Sequence, residues 1–240
     1  MKFVAPMAGI CDSEFLLKLV PYGFDVLTLG GYNVDEATIL AGEKIIERGR
    51  KEFNYPIDTV FSKIKFESEN IKNNSNALVS CNLRSIEPDN IIKVSRFDSV
   101  DIVEINCHCR QEELLSIGCG QNMMFHSDLS EYVSRVVDEG DSKVSVKIRA
   151  NVPGVDTLKV AGLIDDCGAD YLHVDAMKPN AGADLDLIRD ISNTTDIFLI
   201  GNNSIKSVDD CVNMLDAGAD GFSIARACAN GSLDFSLDEF

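Results

Sequence analysis

Residues 165–176, DDCGADYLHVDA, and residues 215–226, LDAGADGFSIAR, carry one message twice. Each reads as the end of a helix, a Gly-Ala-Asp turn, and an apolar run suited to a buried strand. A repeating βα unit is the natural source of such an echo. Working outward, comparable runs occur at 2–6, 24–31, 77–83, 99–106, 143–149, 170–176, 196–202 and 220–226. They read as apolar throughout, which predicts strands covered on both faces. Helical spacing of apolar residues fills the gaps at 13–20, 35–53, 128–140, 156–168 and 207–218, several opening on Ser or Asp and closing on Gly. Eight such alternations in one chain of this size predict an α/β fold, the (β/α)8 or TIM barrel, as a single domain over 1–240. A doubly wound open sheet is the alternative, but no G-x-G-x-x-G follows the first strand. Residues 54–76 are polar and Asn-rich and are expected to be a helix plus loop inserted before the third strand. The tail, 227–240, leaves the eighth helix short or absent, and its Phe235, Leu237 and Phe240 suit it to capping the barrel or a neighbour.

The 240 residues are 45% hydrophobic and 25% charged, as in globular domains with a full core. No run of 18 apolar residues and no basic-then-apolar start is present, which predicts a cytoplasmic protein without a membrane span. The eight cysteines then read as reduced thiols. A net charge of −17 argues against nucleic acid or anionic membranes as partners unless basic residues cluster locally. The one dense basic group is Arg48, Arg50, Lys51, Lys63 and Lys65.

Ligands of such barrels bind at the C-terminal ends of the strands. Those ends carry Pro6, Met7, Ala8 and Gly9; Gly30, Gly31 and Tyr32; Asn82; Asn106 to Cys109; Lys147 and Arg149; His173 and Asp175; Gly201, Asn202 and Asn203; and Ala225 and Arg226. The seventh and eighth ends suit a phosphate, with Gly201 admitting an anion to the backbone, Ser204 to Ser207 opening a helix, and Arg226 adding charge. An ordinary Gly-Asn turn with a surface arginine is the plainer alternative. Lys147, inside a strand, needs either an ion pair with Glu104 or an electron-rich cofactor. Cys107, His108 and Cys109 admit three readings. Cys-x-Cys on a strand would point both thiols to one face and chelate a metal, but no second Cys/His pair accompanies it. A nucleophile with His108 as base, or a thiol proton donor in reduction of a carbon–carbon double bond, are the others.

Taken together, these residues resemble the tRNA-dihydrouridine synthases, a family of FMN-dependent barrel enzymes. The carriers are PMAGICDSEF (6–15), EINCHCRQEELLSIGCGQNMM (104–124), VSVKIR (144–149), IGNNSI (200–205) and Ala225-Arg226, so the resemblance covers residues 4 to about 228. It implies Cys109 as proton donor to a uracil-like ring, with Asn106 orienting that ring. It implies that Lys147 and Asn82 contact the flavin of FMN, that Ala5, Pro6 and Met7 pack along it, and that Gly201, Asn202 and Arg226 hold its phosphate. His108 and Arg110 stand where the family has Gly and Pro around its cysteine. Asp175 stands where it has His, and Asn203 and Ala225 replace glycines of its phosphate cup. The family's substrate is tRNA, gripped by a helical C-terminal domain. With that domain missing and the charge at −17, tRNA, the substrate the resemblance implies, is disfavoured against a small pyrimidine or other unsaturated molecule. Two other functions remain open: a flavin-free isomerase or aldolase using Lys147 on a phosphorylated metabolite, and a non-catalytic binding barrel.

Overall fold

The computed structural model describes residues 1–179 and 181–240. Eight parallel strands close a barrel in sequence order: β1 (Lys2–Val4), β2 (Val26–Asn33), β3 (Leu78–Arg84), β4 (Ile102–Cys107), β5 (Lys143–Arg149), β6 (Tyr171–Asp175), β7 (Phe198–Asn202) and β8 (Gly221–Ile224), with β1 paired to both β2 and β8. The chain is a single-domain (β/α)8 barrel. All eight predicted strands are present.

The Gly-Ala-Asp echo has a structural cause. Asp170, just before β6, accepts the backbone N–H of Val144 in β5 at 2.8 Å, and Asp220, just before β8, accepts that of Leu199 in β7 at 2.8 Å. Asp25 and Asp101 do the same for Lys2 and Val79, at 2.7 and 2.6 Å. Four carboxylates thus satisfy strand-start donors that the barrel ladder leaves open. They also place negative charge at the N-terminal end of the barrel, away from the mouth.

Strand faces differ from the sequence expectation. Only the outward residues are apolar along the whole strand; Val79, Cys81 and Leu83, or Val144, Val146 and Ile148, pack under the helices. Inward, the N-terminal end is filled by Phe3, Val26, Ile102, Tyr171 and Ile200, and the C-terminal half is lined by Ser80, Asn82, Glu104, Asn106, Ser145, Lys147, His173 and Ser223. Period-2 alternation was present in VSVKIR and was masked by the apolar first turn of each strand.

The segment expected as an insert is the largest change. Residues 57–74 form one helix, α3 (Ile57–Asn74), burying Val60, Ile64, Ser68 and Ile71. It packs on α1 (Ser13–Leu17) and serves as the barrel helix between β2 and β3. Lys63, Lys65, Asn73 and Asn74 are exposed, which is why composition suggested a loop beside the helix. The additional piece is α2 (Glu36–Glu47), capped by Asp35 and Thr38 and packed on the short α5 (Glu112–Leu115) beside the mouth. After β8 only a 3-10 turn, Arg226–Cys228, follows among the described residues. The tail folds under the barrel: Leu237 is buried, Phe240 meets Phe222 edge-on at 5.3 Å, and Lys2 Nζ donates to the Phe240 carbonyl at 3.0 Å. No described helix is long and apolar enough to cross a membrane.

Candidate active site

The floor of the mouth is a continuous polar layer. Glu104, 3% exposed, accepts from Asn82 Nδ2 at 2.7 Å and Ser145 Oγ at 3.0 Å, and lies 2.7 Å from His173 Nδ1. His173 Nε2 lies 2.7 Å from Ser223 Oγ and 3.2 Å from Lys147 Nζ. The arrangement is satisfied when His173 is neutral with its proton on Nδ1, and burial, reinforced by the Lys147 charge, pushes that imidazole down from its ordinary value. Burial works to raise the Glu104 carboxyl, but His173, Lys147 and Asn82 more than reverse it and hold it at about 2. Lys147 is 3% exposed and has no direct carboxylate partner among the described residues; Glu104 acts on it through His173. The direct Lys147–Glu104 ion pair weighed from sequence is therefore not formed.

A stability prediction follows from this layer. Glu104→Gln should destabilise the fold near neutral pH by about 2 kcal/mol, the scale of a lost charged hydrogen bond. Because the folded carboxyl titrates below its ordinary 4.5, its contribution is complete above that pH and disappears as pH falls toward 2. Denaturant midpoints of the two proteins should therefore converge on acidification; a constant gap across that window would refute the charged role.

Asn106 holds the loop above the layer. Its Oδ1 accepts the backbone N–H groups of His108 at 3.1 Å and Cys109 at 2.8 Å, while its Nδ2 donates to Asn82 Oδ1 at 2.7 Å. Cys109 faces the mouth, with Arg84 Nη1 at 3.9 Å from its sulfur. Cys107 points the other way, fully buried against Met123 Sδ at 3.9 Å, and burial pushes its thiol up. β4 ends at Cys107, so Cys109 lies beyond the strand and the expected shared face for the two thiols is not realised. Among the described residues no three His, Cys, Asp or Glu side chains gather as a cation site. Gly120 explains the spaced glycines of 118–120. It has φ +65°, and a Cβ there would lie 2.3 Å from the Cys109 carbonyl oxygen, which accepts from Gln121 N at 2.8 Å.

Two cavities of about 330 and 280 Å³ meet at Pro6, His108, Arg110, Lys147 and Arg149. The smaller reaches Asn82, Arg84, Asn106 and Cys109; the larger reaches Asp175, Asn202, Asn203, Ser204, Ala225 and Arg226. Between them His108 Nε2 lies 2.6 Å from Asp175 Oδ2 and 2.8 Å from Arg149 Nη2. Burial pushes His108 down to about 4; the neutral ring donates its Nε2–H to Asp175 Oδ2, and Arg149 Nη2 pairs with that same oxygen at 3.2 Å. Burial of Asp175 is outweighed by His108, Arg149 and Asn203, which hold it well below the ordinary carboxylate range. Arg149 Nε is buried without a partner. Asn202 and Asn203 have their amides engaged, donating to the Ser223 carbonyl at 2.8 Å and to Asp175 Oδ1 at 2.6 Å. At this end of the mouth Arg226 and Lys206 carry the positive charge.

Two expected site residues stand outside the lining of both cavities. Gly201 faces outward, where a Cβ would meet Met214 Sδ at 2.2 Å, so its smallness serves the packing of α9 (Val208–Asp216) on β7. Met7 packs against the core, and Pro6 and Ala8 line the mouth instead. What sequence reading missed is the charge focus. Arg50, Arg84, Arg110, Lys147, Arg149, Lys206 and Arg226 line the two cavities, against Asp175 as their one lining carboxylate. Arg84 was findable, since it follows Asn82 by two on β3 and so shares its inward face. Lys147, Arg149 and Arg226 were already read as strand-end residues, and Arg50, Arg110 and Lys206 join them only in the fold.

The dihydrouridine synthase (Dus) family profile matches residues 3–232. The chain is 35% identical over 239 residues to the protein MJ0144 of Methanocaldococcus jannaschii, covering 97% of this chain and 90% of that one. It is 25% identical over 162 residues to the catalytic subunit of dihydroorotate dehydrogenase B (NAD(+)) of Bacillus cytotoxicus, covering 56% and 50%. Among solved structures, a variant of NCR from Zymomonas mobilis superposes with TM-score 0.66 at 14% identity, covering 94% of this chain and 82% of that one. FabK from Thermotoga maritima gives 0.60 at 12%, covering 93% and 57%, so the chain spans little more than half of FabK. With a match over nearly the whole length, the chain belongs to the dihydrouridine synthase (Dus) family.

Proposed function

We propose that this protein is an FMN-dependent oxidoreductase acting on a carbon–carbon double bond of a small uracil-like ring, with Cys109 as the proton donor. The observation that carries it is a mouth-facing thiol, placed by Asn106 in the same mouth as a buried lysine that has no direct carboxylate partner among the described residues. The residues fit a flavin phosphate ester on grounds of their own chemistry. Lys147 needs an electron-rich neighbour, the orphaned Arg149 Nε needs an acceptor, and Arg226 and Lys206 supply charge for a phosphate. Bound FMN would supply hydride chemistry. Asn106 fixes the Cys109 backbone, Cys109 delivers a proton to the carbon next to the hydride acceptor, and the mouth lets water restore that proton. Asn82 links Asn106 to Glu104, so the donor loop and the Lys147 layer are one rigid unit.

FMN should bind more tightly than riboflavin by about tenfold or more, the scale of one charge-assisted contact, and Arg226→Ala should reduce that preference. Fluorescence titrations of both flavins check this. Equal affinities would remove the phosphate assignment, and no binding of either would remove the oxidoreductase reading in favour of a flavin-free barrel. A small substrate is favoured over tRNA because the cationic groups lie within the mouth. Of the basic group read from sequence, only Arg50 lines it.

A further inference from the structure

We infer that the substrate carries an oxyanion of its own, a carboxylate or phosphate, which seats between Arg50, Arg84 and Arg110 beside Cys109. This deepens the oxidoreductase reading and rests on it. Arg84 is the decisive group. It is 3% exposed, a burial that a guanidinium tolerates only with good partners. Its Nε donates to Asn33 Oδ1 at 2.6 Å and its Nη2 to the Gly31 carbonyl, both neutral acceptors. Its Nη1 has only the Cys109 sulfur, at 3.9 Å. Among the described residues no carboxylate pairs directly with Arg84, nor with Arg110, which lies exposed at the same cavity. The Phe53 ring meets both cations, its centroid 4.5 Å from the Arg84 guanidinium carbon and 5.6 Å from that of Arg50. Arg50 pairs with Glu52, the one carboxylate contacting this group.

Arg50 and Arg84 line only the smaller cavity, Arg226 and Lys206 only the larger, and Arg110 lines both. The His108–Asp175–Arg149 bridge stands between them. A flavin phosphate at Arg226 and Lys206 leaves Arg50 and Arg84, which line only the other cavity, without a ligand anion. The unmatched charge beside the proton donor therefore belongs to the molecule that receives the proton. An anion there places the ring within reach of the thiol and shields a buried guanidinium that is otherwise unpaired. In a chain of net charge −17, concentrating cations at this one place also steers small anions into the mouth.

The test uses two matched pairs on the full chain loaded with FMN: uridine 5′-monophosphate against uridine, and orotate against uracil. Binding is read by calorimetry and by perturbation of the flavin spectrum. In at least one pair the charged member should bind about tenfold or more tightly, losing that advantage as salt rises. The pair that shows it tells phosphate from carboxylate. Arg50→Gln/Arg110→Gln, both at exposed positions, should bring the two members of that pair together in protein saturated with FMN. Affinities equal within about twofold in both pairs would overturn the inference, as would a preference left intact by the double variant. So would salt-sensitive tRNA binding with both pairs equal, which would assign the charge to a polynucleotide. If FMN does not bind yet the charged members still win, the flavin reading fails and the anion site stands.

Discussion

Cys109→Ala is expected to lower reduction of an unsaturated substrate by about 10²- to 10⁴-fold, the usual range for a positioned proton donor. FMN affinity should hold, because the Asn106 contacts that shape the loop go to the Cys109 backbone N–H and not to its sulfur. Cys107→Ala should leave turnover near the wild-type level, since that thiol is buried on the outer face of β4 against Met123. Single-turnover mixing of pre-reduced, FMN-loaded protein with substrate separates the chemical step from binding. Equal losses at both cysteines would return the question to a joint role for the two thiols. Unchanged chemistry in Cys109→Ala would place the proton donor elsewhere, with His108, which lines the same cavity, the next group to test.

Gly120→Ala is expected to cost about 10²-fold in the same single-turnover rate without touching any group that meets substrate. A methyl group there would sit 2.3 Å from the Cys109 carbonyl oxygen and 3.2 Å from its Cβ, and φ of +65° already disfavours a side chain. The loop must retreat, and with it the thiol. The signature is a rate loss with FMN affinity kept. A loss confined to stability, with normal chemistry per folded molecule, would show that Gly120 serves folding alone.

The barrel was legible because its signals are local. Apolar runs, caps and the Gly-Ala-Asp echo each reflect contacts a few residues long or, for the aspartates, one carboxylate meeting the neighbouring strand. Asn82, Asn106, Cys109 and Lys147 were legible as mouth residues because strand ends fix where ligands go. Strand-end position alone did not tell inward from outward. Gly201 lies on the outer face of β7 and answers to Met214, and Met7 turns into the core. Residues 54–76 misled because a long amphipathic helix shows its polar face in composition and its buried face only in spacing. The positive mouth was hidden by the total charge. Arg50, Arg84, Arg110 and Lys206 are scattered in sequence and join Lys147, Arg149 and Arg226 only when the barrel closes, while Asp25, Asp101, Asp170 and Asp220 gather at the opposite end.

Protection of Cys109 from alkylation by FMN tests most directly whether a flavin sits in this mouth. Cys109 and Cys167 are the two cysteines not fully buried, and Cys167 lies outside both mouth cavities as an internal control. Saturating FMN should slow iodoacetamide labelling of Cys109 by about tenfold or more while Cys167 labels at an unchanged rate, because a ligand filling the cavity excludes the reagent. Labelling of Cys109 at the same rate with and without FMN would contradict the account.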